Sequence, residues 1–192
     1  MAAVQIPQTQ ALPPTGTWAL DTTHTDVSFT ARHLMVTKVR GRFGVSGGTV
    51  TIAENPLDSS VEATIDVASV NSGEAGRDEH LLSPDFFDVE HYPTITFRST
   101  KVVAAADGAY KLTGELTIKD VTRPVTLDLE YLGTIDSPFG DTRAGFSAST
   151  EINRKDWGLN WNMALEAGGV VVGEKVKLNI DAETILQKNV DN

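Results

Sequence analysis

The 192-residue chain has no cysteine. That excludes a disulfide framework, a thiolate metal site and a cysteine nucleophile together. No run of about 18 apolar residues occurs, so no segment is fit to cross a bilayer as a helix. Basic residues are few: 16 Lys and Arg stand against 26 Asp and Glu, a net charge of −10. Without a basic stripe, the phosphate neutralisation that drives nucleic-acid binding has no counterpart, and no nucleic-acid partner is expected. The GxSxG, HExxH, Walker and dinucleotide fingerprints are missing as well, and no cofactor or metal is expected. The first 16 residues hold no Lys or Arg and no apolar stretch long enough for a signal peptide's core. A cytoplasmic protein is the expectation.

What the chain has in quantity is period-2 alternation. In residues 110–131, Tyr110, Leu112, Leu116 and Ile118 share one face, then Val125, Leu127, Leu129 and Tyr131 do so again. This pattern predicts two half-buried strands. Between them the chain must reverse at Lys119, Asp120 and Val121, and Asp tolerates the left-handed conformation better than most residues. Pro124 lacks a ladder donor and is expected at a strand start or bulge. Further alternating runs begin at Trp18, Val27, Phe43, Val61, Ile95, Ala144 and Val176. The apolar phase slips near Gly47 and Gly48, which predicts a bulge. Asp107-Gly108 predicts a hairpin turn.

Residues 71–92 lose the alternation. Two short helical turns are expected there, at residues 74–82 and 84–87, the second with Ser83 as cap and Pro84 in first position. The adjacent rings of Phe86 and Phe87 are expected to cover a mouth or flank of the sheet. Residues 1–16 carry neither period and read as an extended arm, with one domain over residues 17–188. The fold class is all-β: an extended eight-stranded antiparallel barrel with a short helical excursion, a two-sheet sandwich being the runner-up. Strands of about 12 residues tilted by about 40° predict a tube roughly 30 Å tall.

Candidate chemistry is sparse. His24 and Asp26 have the spacing of an acid–base pair or of metal ligands, though turn capping also accounts for them; His80 and His91 sit in charged surroundings. His33 falls in an apolar row. A lipid-modifying hydrolase or isomerase using His33 or the His24/Asp26 pair is therefore the enzymatic alternative. The rings Phe29, Phe43, Phe86, Phe87, Phe97, Phe146, Trp157 and Trp161, with Leu116, Ile118, Leu127 and Leu178, either fill a core or line a cavity. Small residues in the inner rows, Ala31, Ala63, Gly114, Ala144 and Ala148, favour a cavity. His33 would then meet the polar end of a ligand.

The order of several segments resembles the YceI-like family. They are residues 21–24 and 32–33, Val39-Arg40-Gly41-Arg42-Phe43, residues 77–81, 83–88 and 92–97, Val121-Thr122-Arg123-Pro124, and Asn153-Arg154 with Asp156-Trp157-Gly158-Leu159. Asp120 stands where that family most often has glycine. The resemblance implies a lipocalin-like barrel whose apolar interior holds a polyisoprenoid or other long-chain lipid without catalysis, often as a homodimer.

Overall fold

The computed structural model describes residues 12–166 and 168–188. Residues 1–11 of the expected arm lie outside them. Ten strands follow in order: β1 Gly16–Leu20, β2 Asp26–His33, β3 Thr37–Phe43, β4 Val45–Ile52, β5 Ser60–Asp66, β6 Thr94–Ala104, β7 Tyr110–Ile118, β8 Val121–Asp136, β9 Thr142–Asn153 and β10 Val172–Leu186. One α-helix, α1 Ala75–Leu82, stands among the described residues. From β4 to β10 each strand pairs antiparallel with the next, β1 pairs with both β4 and β10, and β2–β3 extends the sheet beside β10. The breaks at residues 21–25 and at Gly44 interrupt two long staves, so ten strands make an eight-stave closed barrel. Closure leaves few unpaired edges for other chains to join.

The antiparallel order sorts the connections between two ends. Residues 12–15, 53–59, 105–109 and 137–141 lie at one end; residues 34–36, 67–93, 119–120 and 154–171 lie at the other. The second end is filled. Phe43 meets Phe29 at 5.5 Å and Phe87 edge-on at 5.4 Å, and Phe86 lies 5.4 Å from Trp161. Trp157, 2 % exposed, donates its indole N–H to the Leu116 carbonyl at 3.0 Å. The residues 71–92 thus plug one end of the barrel, and residues 154–157 close the gap left where the first part of β8 has no β9 partner.

Local features follow their chemistry, with three corrections. The slip at Gly47 is a bulge: Val45 pairs with Ile65 but Gly47 with Thr64, leaving Ser46 extra. Asp107 and Gly108 both take left-handed backbone in the β6–β7 turn. In the β7–β8 turn, however, the left-handed residue is Lys119 at φ 58°, not Asp120. A two-residue hairpin loop with positive φ at its first position matches the twist of the strands, and Ile118 pairing with Val121 imposes that loop. Residues 84–87 form hydrogen-bonded turns, not a helix. Ser83 donates to the His80 carbonyl at 2.7 Å and so serves the end of α1 as well as accepting from Asp85. Pro124 lies inside β8, on the stretch paired only with β7, so its missing donor breaks no second ladder.

Candidate functional site

The other half of the barrel is hollow. A cavity of about 480 Å³ runs from the packed end to the opening between residues 12–15 and 53–59. On β8 its wall extends from Val125 to Tyr131, and on β10 from Leu178 to Thr184. Six residue steps along a tilted strand make this about 15 Å deep. The expected tube of about 30 Å is therefore occupied by side chains over roughly half its height, because the rings of the excursion and of residues 154–161 enter it from one end.

Five of the residues singled out from sequence meet at this cavity: Phe97, Leu116, Leu127, Phe146 and Leu178. Phe29, Phe43, Phe86, Phe87, Ile118, Trp157 and Trp161 pack together in or against the core of the closed end, outside the cavity wall. His33 lies farther still, at the end of β2 where it pairs with Thr37 and Val172. Ala63 and Ala148 line the cavity as the small-residue argument expects. Gly114 instead makes room for a wall side chain: a Cβ there would stand 2.4 Å from the Phe97 ring.

Two further groups of residues meet the cavity. Tyr110, Tyr131, Val125, Leu129 and Ile180 continue rows already identified, and counting on by two along each strand finds them. Leu12, Pro13 and Pro14 are different, because a segment without period gives no face to count. Pro13 is buried, and the fully buried Trp18 fixes this segment across the opening by donating its indole N–H to the Pro14 carbonyl at 3.1 Å.

The His24/Asp26 pair does not form. His24, on the outer surface, places Nδ1 2.9 Å from Asp21 Oδ2 and 3.0 Å from Thr23 Oγ1. Asp21, His24 and Glu183 come close enough to hold a cation. Arg143 already supplies that charge. Its Nη1 reaches Asp21 at 2.8 Å and also bonds Glu183, while Nε and Nη2 grip Asp141 at 3.0 Å each. The cluster therefore ties β1, β9 and β10 together rather than presenting a reactive centre.

This cluster predicts an acid response. Hydrogen bonds from Thr23, then from His24 and Arg143, hold the Asp21 carboxyl well below its ordinary 3.8 despite opposing desolvation. A depressed folded-state value means its stabilisation is complete above the unfolded value, shrinks as pH falls below it, and is gone once pH passes the folded value. Urea midpoints of Asp21→Asn should thus trail the parent by a constant margin from pH 7 to about 4. Below that the margin should close. A margin that widens toward acid would show that the carboxylate is not favoured by folding.

The geometry has counterparts. The YceI-like domain model matches residues 18–184. Among curated relatives, a UPF0312 protein of Pseudomonas aeruginosa is 38% identical over 165 residues, covering 85% of this chain and 83% of its own length. A UPF0312 protein of Staphylococcus aureus is 36% identical over 168 residues, covering 86% and 95%. Burkholderia cenocepacia BcnA superposes with a TM-score of 0.73 at 23% identity, over 85% of this chain and 98% of that one. A polyisoprenoid binding domain from Saccharophagus degradans does so at 0.65 and 16% identity, over 91% and 100%. With the model spanning nearly the whole barrel and relatives of this identity along its length, the chain belongs to the YceI-like family.

Proposed function

We propose that the protein binds one polyisoprenoid or comparable long-chain lipid in the open half of the barrel, to carry or store it without chemical change. The observation that carries this reading is the cavity, walled almost wholly by apolar side chains and opening at one end. Burying a chain there gains about 0.8 kcal/mol per CH₂. About ten carbons supply about 8 kcal/mol, a micromolar constant before ordering costs are subtracted. The polyisoprenoid binding named for the Saccharophagus degradans domain supports the chemical class. Phe97, Leu116, Leu127, Phe146 and Leu178 are the wall in contact with the chain, and the packed rings of the closed end form its floor.

A cytoplasmic setting and a homodimer belong to the same proposal; cell fractionation and light scattering test them. No described helix is long and apolar enough to cross a membrane. Organic extraction of protein purified from its native cell, followed by mass spectrometry, should release a long-chain lipid close to one per chain. Protein that yields none, and that takes up none when offered prenyl and alkyl chains, would refute the reading.

A further inference from the structure

The mouth has a chemistry of its own. The connections that frame it, residues 12–15, 53–59, 105–109 and 137–141, carry Glu54, Asp58, Asp107 and Asp141 and not one Lys or Arg. All 16 Lys and Arg fall among the described residues, since residues 1–11, 167 and 189–192 contain none. No cation lines the cavity. On the strands of this half, Arg143 is committed to three carboxylates and Lys111 to Asp128. Lys101 and Lys188 are exposed and stand outside the lining.

Several polar groups of the wall are already satisfied. Thr25 donates to the Glu183 carbonyl at 3.3 Å and Thr184 to the Ala144 carbonyl at 3.1 Å. The Tyr131 hydroxyl bonds Thr134 Oγ1 at 2.5 Å. Tyr110, Ser60 and Glu54 belong to the lining near the mouth, and their side chains have no hydrogen-bond partner among the described residues. The first two donate or accept, and the third accepts.

A phosphate or carboxylate lodged here would lose part of its water beside Glu54, Asp58 and Asp107 with no cation in the cavity wall to pair it, an unfavourable arrangement. A hydroxyl or carbonyl would find partners. Resting on the carrier reading above, we infer that the mouth selects a lipid with an uncharged, hydrogen-bonding head and rejects the same chain when it ends in an anion.

The test uses the delipidated full chain and equilibrium binding of geranylgeraniol and geranylgeranyl diphosphate, each below its micellar concentration. The alcohol should bind at least about tenfold more tightly. Raising the salt should narrow the ratio, since an exposed like-charge repulsion is screened. Glu54→Lys should shrink it at least about threefold by supplying the missing counter-ion. Diphosphate binding equal to or tighter than the alcohol overturns the head preference while leaving the carrier reading intact. Failure of both compounds to bind overturns the two together.

Discussion

Leu127→Asp should lose lipid uptake by at least about a hundredfold, because its side chain enters the middle of the cavity wall. Leu127 is 8 % exposed and faces the void on β8, flanked along its row by Val125 and Leu129. A carboxylate there has no partner, and lodging an apolar chain beside it strips its water. That penalty is about 3 kcal/mol, or about two decades in affinity, and protonation relieves it only in part. A charged wall residue also burdens the fold, so a second variant is needed. Ala148→Phe, on the adjacent row of β9 beside Leu129, fills the void with apolar atoms and introduces no charge. Its uptake should fall at least about tenfold through lost volume, with a urea midpoint at or above the parent's. Binding undiminished in both variants would mean that lipid binds elsewhere.

Arg154→Met should destabilise the barrel by about 2–4 kcal/mol, read as a drop in urea midpoint. Arg154 is 4 % exposed at the closed end. Its Nε donates to the Gly173 carbonyl at 3.0 Å, Nη1 to the Leu159 carbonyl, and Nη2 to the Val172 carbonyl at 3.3 Å. The guanidinium also lies 6.0 Å from the Phe86 ring centre. Gly173 lies in the stretch of β10 with no partner on β2, so its carbonyl depends on a side chain. Methionine preserves most of the volume yet leaves two carbonyls bare; that of Val172 keeps the Asn162 amide at 2.7 Å. Burial pushes the Arg154 pKa down, a sign that holding this cation is itself unfavourable, and Met relieves that penalty. The expected loss assumes that the orphaned carbonyls outweigh it. Arg154→Lys should fall between the two, since an ammonium lacks the planar fork that reaches three acceptors. A methionine variant as stable as the parent would show that the desolvation penalty equals the bonds.

These two sites mark where the chain was readable and where it was not. Alternation identified the inward rows, because a strand's faces are decided locally by a period of two. It did not tell depth. Phe29 and Ile118 belong to the same kind of row as Phe97 and Leu116, yet the first pair lies in the packed half and the second at the cavity. What divides them is the arrival of Phe86, Phe87 and Trp157 from connections remote in sequence. Leu12 to Pro14 were hidden for another reason: the segment has no period to read, and Trp18, four residues beyond Pro14, holds it across the opening through the Pro14 carbonyl. Lys119 illustrates a different limit. Composition favoured Asp120 as the left-handed residue, but the pairing of Ile118 with Val121 decided which position bends.

The pairing of Trp18 with Leu186 brings the first and last strands side by side at the cavity's opening. A reporter, affinity handle or second domain joined directly at residue 12 or residue 188 is thereby delivered to the doorway, where its bulk and charge compete with the ligand for the same space. The β2–β3 and β7–β8 turns, at residues 34–36 and 119–120, project from the opposite pole. Labels placed there watch the barrel from behind its floor and leave the traffic through the opening undisturbed.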